Sequence, residues 1–202
     1  MTRPRDARSS GTIDVVKLGG SLLSTPRLGD LLDLLASTRA PLVLVPGGGP
    51  FADAVRDIQP QIGLSDVAAH QMAILAMEQT ALALADIEPR LALCADRAAI
   101  AEAHAEGRAA LWRPALIALS ASDLPTSWDV TSDSLAAWLA ITLGAAQLTL
   151  IKSAPVIPAR QHWVAEGLVD QYFPLISQRF MGNVRALSVD DVLGKGLGAI
   201  AA

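Results

Sequence analysis

The chain has 202 residues, 51% of them hydrophobic, enough for one domain with a substantial core. A net charge of −4 at pH 7, with no basic cluster to offset it, argues against nucleic acid and anionic membranes as partners. The one cysteine, Cys94, excludes an internal disulfide and fits a reducing compartment, so a cytoplasmic location is expected.

The polar, basic start over residues 1–11 has no apolar run behind it and predicts a mobile tail rather than a secretory signal. Residues 12–202 read as a single domain. Residues 13–21, IDVVKLGGS, begin as a β-branched strand and end in Gly19-Gly20-Ser21, where missing side chains let main-chain N–H groups approach an anion. A helix is expected next, capped by Thr25, opened by Pro26 and carrying Leu28, Leu31, Leu32 and Leu35 at helical spacing. Strand, turn and helix make a phosphate-sized concavity, with Lys17 beside it as a point charge. The bland alternative is a tight turn with a surface lysine.

A second unit repeats the pattern. PLVLV, residues 41–45, reads as a buried strand, followed by Gly47-Gly48-Gly49 and a helical FADAVRDI. Two such units about thirty residues apart predict neighbouring parallel strands whose loops open on one sheet edge, one for a phosphate donor and one for an acceptor. Neither turn fits the Walker pattern or GxGxxG.

Residues 67–86 form the longest helical pattern, apolar around most of its circumference, and so buried in the core or against another subunit. Met72 and Met77 read as core, and His70 either as a hydrogen-bonded core histidine or as part of a site. RLALCAD is a strand with Cys94 as a small core residue, RAAIAEAHAEG a helix with His104 at the surface, and AALWRPALIAL a strand or strands. In the loop that follows, Trp128 either walls a pocket or simply packs. Asp129 and Asp133 flank the start of the next helix, where capping and the helix dipole alone would favour acids. Gly144 divides apolar residues 135–151 into a helix and a strand, each too short to cross a bilayer. Lys152 and Ser153 end that strand, and no His/Cys cluster suggests a metal.

Three segments, VVKLGGSLL, LVLVPGGGPFADAVR and WDVTSDSLAAWLAITLGAAQLTLIKS, together resemble the amino acid kinase superfamily, which includes acetylglutamate, aspartate and uridylate kinases. The resemblance implies an α/β fold, a three-layer α/β/α sandwich around a mostly parallel sheet. It implies an acceptor-binding half over about residues 12–125 and a nucleotide-binding half over 126–202. It also implies phosphoryl transfer from ATP, with Mg²⁺ carried by the nucleotide. On this pattern Lys17 and Asp133 are the catalytic pair, the acid holding the lysine. Gly19, Gly20, Ser21, Lys152 and Ser153 serve the nucleotide. Gly47, Gly48, Gly49, His70, Trp128 and Asp129 serve the acceptor, and an aspartate at 129 suits a cation on it. The later turns of the long helix fall near a two-fold partner, implying a homodimer or higher homo-oligomer.

After Ile151 the chain departs from the superfamily. The K/SDVDG turn and the later lysine-bearing GGM loop are missing, replaced by KSAPVIP and GLVDQYFPLI. A non-catalytic binding, regulatory or oxyanion-storage protein on this scaffold is therefore the alternative. Residues 70–79, 127–140 and 169–174 are similar to the small kinases of methanofuran synthesis, which act on [5-(aminomethyl)furan-3-yl]methyl phosphate. That implies a small phosphorylated amine as acceptor, in one-carbon cofactor biosynthesis, and an acceptor phosphate needs no general base.

Overall fold

Six apolar runs form one parallel sheet in a computed structural model that describes residues 12–157 and 159–195. The expected tail over residues 1–11 lies outside the described residues. β1 (Asp14–Leu18) leads into a 3₁₀ turn at Gly20–Ser24, and α1 follows at Leu28–Ala36. The helix thus starts later than the Thr25-Pro26 signal predicts, because the glycine turn continues as the 3₁₀ segment, and Arg27 stands at the N-cap without a side-chain hydrogen bond. β2 (Leu42–Pro46) precedes α2 (Gly49–Ile62) and α3 (Asp66–Ile87), which Ser65 caps by accepting from the Ala68 amide. β3 (Ala92–Cys94), α4 (Arg97–Ala105) and β4 (Ala110–Trp112) follow. Beyond Trp112 no second strand forms, since Pro114 opens a short helix, α5 (Ala115–Ala118). α6 (Ser132–Leu143) ends at left-handed Gly144, and β5 (Gln147–Lys152), α7 (Phe173–Ser177), β6 (Asn183–Ser188) and α8 (Val189–Lys195) complete the described chain. No helix of the described residues is long and apolar enough to cross a membrane.

The strand order is β3-β4-β2-β1-β5-β6, every pair parallel. Burial on both faces explains why these strands read as unbroken apolar runs. Alternation sends Val15, Val43, Leu148 and Leu150 to one face, where they pack with α6, α7 and parts of α3 and α4. Val16, Leu18, Leu44 and Ile151 go to the other, against the leucines of α1, α8 and the end of α3. The result is a three-layer α/β/α sandwich. The chain leaves β1 toward β2 on one side and returns to β5 on the other, so the order reverses at β1, and a crevice opens there at the carboxyl ends of the strands.

Two expectations need correcting, and one is divided. Of the two settings expected for α3, the core of this chain covers only part of the helix: Val67, Leu75 and Leu82 are about half exposed, forming an open apolar stripe. Met72 lies on that exposed side, whereas Met77 is core. His104 is half-buried rather than superficial, a ring nitrogen 2.8 Å from the Leu42 carbonyl.

Candidate active site

Strand parity decides which side chains meet at the crevice. Lys17 shares a face with Val15, and Lys152 shares it with Leu148 and Leu150, so both lysines leave adjacent strands toward α6. Asp133 waits there in the first turn of α6. Its Oδ1 accepts from Lys17 Nζ at 2.9 Å and from Lys152 Nζ at 2.8 Å, with Lys17 and Asp133 almost wholly buried. Burial would raise the Asp133 carboxyl, but the two ammonium groups outweigh it and hold the group below its ordinary range. Burial, reinforced by Lys17, pushes Lys152 down to about 8 despite the attraction of Asp133. Two lysines around one carboxylate leave one positive charge uncompensated in a largely buried site, a standing attraction for an anion.

Asp133 is free for this duty because another residue caps the helix. Asp170, from the segment before α7, accepts from the amides of Thr131, Ser134 and Phe173 and from both hydroxyls of Thr131 and Ser134. It satisfies the amino end of α6 from 36 to 39 residues away. Sequence reasoning missed this residue. Its signal was a lone acid just before the Tyr-Phe-Pro run that opens a helix.

The two glycine turns touch main chain to main chain. A Cβ at Gly47 would stand 2.4 Å from Gly20 N, and one at Gly20 would stand 2.5 Å from Gly49 N, so no larger residue fits. Gly19 N–H donates to the Ile151 carbonyl at 3.0 Å and Gly47 N–H to the Leu18 carbonyl at 2.8 Å. Those two amides tie the strand tips together and are already engaged. Contact with an anion from these turns falls to Gly20, Ser21, Gly48 and Gly49.

Two cavities flank this junction, and Lys17, Gly20 and Ser21 line both. One, of about 290 Å³, runs along α2 and is walled by Gly48, Gly49, Asp53, Arg56, His70, Trp128 and Asp133, with Ile74, Met77, Val130 and Leu135 as its apolar side. The other, of about 330 Å³, is lined by Gly19, Lys152, Ser153, Pro155, Ile157 and Glu166 to Leu168. Ser21 and Ser153 hydroxyls meet at 2.8 Å across the two loops. His70 is shifted down by burial, which favours its neutral form, against a hydrogen bond to the Ser127 main chain. Trp128 is fixed by its Nε1–H, which donates to Gln59 Oε1 at 2.5 Å, and by the Arg56 guanidinium 4.4 Å from its ring centre. The structure therefore brings all the expected site residues to the junction or its walls except Gly47, set behind the turn, and Asp129. Asp129 is exposed, its carboxylate accepting from Ser127 Oγ at 3.3 Å, and lines neither cavity. Asp53 and Arg56, which do line one, went unnoticed as surface residues of an amphipathic helix.

Comparison with known proteins matches residues 13–157 to the model of the amino acid kinase family. A protein of Methanocaldococcus jannaschii named [5-(aminomethyl)furan-3-yl]methyl phosphate kinase is 28% identical over 186 residues, covering 84% of each chain. Among solved structures, uridylate kinase from Archaeoglobus fulgidus superposes with a TM-score of 0.66 at 17% identity, over 90% of this chain and 94% of that one. UMP kinase from Bacillus anthracis gives 0.67 at 13% identity, over 95% and 93%. The structural likenesses establish the fold.

Proposed function

The chain belongs to the amino acid kinase family and is a phosphotransferase, and on that premise we propose that it moves a phosphoryl group from ATP to the phosphate of a small amine-bearing acceptor. The observation that carries this reading is the Lys17–Asp133–Lys152 cluster, set where two cavities meet at a pair of glycine turns. The cavity beside Lys152 and Ser153 takes the nucleotide, and the one along α2 takes the acceptor. The name of the Methanocaldococcus relative supports [5-(aminomethyl)furan-3-yl]methyl phosphate as that acceptor, and we place the reaction in the cytoplasm, in synthesis of a one-carbon cofactor.

When bound, Mg-ATP supplies the phosphoryl group and its divalent charge. The lining residues fit its phosphates: two lysines, two glycine turns and a serine pair. Among the described residues no three His, Cys, Asp or Glu side chains converge, so the ion would be held mainly through the nucleotide's own oxygens. Lys17 and Lys152 neutralise charge that spreads over the oxygens of the migrating group, and the main chain of Gly20 and Gly49 approaches it from the turns. Asp133 keeps both ammonium groups aimed without itself exchanging a proton. No base is required, because an acceptor phosphate is ionised at pH 7. The open stripe of α3 supports a homodimer, each copy covering the other's Leu75 and Leu82.

Phosphorus NMR of the protein with Mg-ATP and [5-(aminomethyl)furan-3-yl]methyl phosphate tests the reading. A diphosphate product and ADP are expected, and Lys17→Ala should slow turnover by about 100-fold or more while leaving the fold intact. Undiminished turnover in that variant would remove Lys17 from catalysis. No product and no nucleotide binding in the wild type would favour a binding or storage protein instead.

A further inference from the structure

The acceptor cavity is a groove along one face of α2. Gly49, Asp53 and Arg56 line it and are spaced four and three residues apart, which places them on one side of the helix. At 1.5 Å rise per residue, Asp53 lies about 6 Å down the axis from the phosphate end of the groove at Gly49. Among the described residues two carboxylates line this cavity. Asp133 is committed to the two lysines. Asp53 is well exposed and gives only Oδ1 to Arg56, in a 2.9 Å ion pair, so its Oδ2 has no partner among the described residues and is open to a ligand cation. Arg56 is itself held over the Trp128 ring, so the acid is oriented before any ligand arrives.

We propose that Asp53 is the specificity-determining residue for the acceptor, reading a cationic group held about one helical turn from the phosphate that receives the transfer. This rests on the phosphotransferase reading above and adds to it the chemistry of the acceptor's far end. α2 acts as a ruler: its amino end faces the acceptor phosphate, and its second turn offers the acid. A five-membered ring carrying a phosphooxymethyl and an aminomethyl arm holds its two charges apart by a comparable length. The apolar wall of Ile74, Met77 and Val130 suits the ring between them.

The test compares two acceptors, [5-(aminomethyl)furan-3-yl]methyl phosphate and its (5-methylfuran-3-yl)methyl phosphate analogue, by calorimetric binding and by turnover with Mg-ATP. Wild type should bind the amine about tenfold tighter or more, and Asp53→Asn should lose that preference while its affinity for the methyl analogue changes less than about twofold. Asp53 is exposed, so the variant should melt with the wild type. A wild type that binds both alike, an amine preference that survives in Asp53→Asn, or one lost instead in Asp129→Asn overturns the assignment while turnover keeps the kinase reading standing. Failure of both acceptors to bind wild type overturns it too. Tight amine-selective binding without phosphoryl transfer would sink the kinase reading and leave Asp53 in place.

Discussion

Lys152 shows how one buried ammonium can pull binding and stability in opposite directions. In the folded protein it loses its proton near pH 8, whereas in the unfolded chain it holds it to about 10.5. As pH rises from 8 to 9 the site sheds positive charge, so nucleotide affinity should fall. Over the same interval the unfolded chain binds more protons than the folded one, so stability should rise by about 1 kcal/mol. Above pH 9 the Cys94 thiol, pushed up to about 11 by burial, contributes the opposite slope, which makes the lower interval the informative one. Denaturant melts and nucleotide titrations at pH 8 and 9 check both trends, and Lys152→Met should flatten them. A wild type whose nucleotide affinity holds steady across that interval would take Lys152 out of the donor site. At this scale the Lys17 and Asp133 contact was legible through the family resemblance, which sets an acid at this helix start against the strand-tip lysine; local chemistry alone explained Asp133 equally well by capping and the helix dipole. The sharing of that acid with Lys152 was not legible, since it depends on the register of β1 against β5, which no local pattern encodes.

Among the elements, the glycine turns after β1 and β2 are one unit rather than two. Their backbones meet at distances that admit no Cβ, and both lie against α2. Gly47→Ala should therefore spread the β1 and β2 tips, costing stability on the order of 1–3 kcal/mol and most of the activity. Activity and melting temperature close to wild type would show that the tips can part without consequence. The two turns and their strands were readable from composition alone. Their mutual contact was not readable: neighbouring parallel strands predicted two loops on one sheet edge, and how closely their backbones approach is set by packing that no local pattern encodes. The late start of α1 was not readable, because a glycine turn carries no signal that separates a direct entry into an α-helix from a 3₁₀ detour. Asp170 escaped for a related reason: capping is sought within three residues of a helix start, and this cap comes from the far side of a strand and a loop.

For the molecule as a whole, the sheet order sets the site at the point where the chain reverses direction, and the long helix α3 carries both a wall of the acceptor groove and an open apolar stripe. His70, Ile74 and Met77 face the groove on one side of α3, while Leu75 and Leu82 look outward. If that stripe is a two-fold contact, Leu75→Glu together with Leu82→Glu should halve the mass seen by sedimentation and leave the monomer folded. An unchanged mass would place the assembly elsewhere or show the chain to be monomeric. Neighbouring parallel strands were legible from their unbroken apolar runs and glycine turns, and the three-layer class came with the family resemblance those segments carry, whereas the open side of α3 was hidden by its uniform hydrophobicity.

The hold of Asp170 on the start of α6 has a reach that its position conceals. A residue that lines neither cavity helps determine where the acid stands between its two lysines. A cut, a clash or a tightening there would mute or sharpen the chemistry from a distance, with every group at the reacting centre still in place.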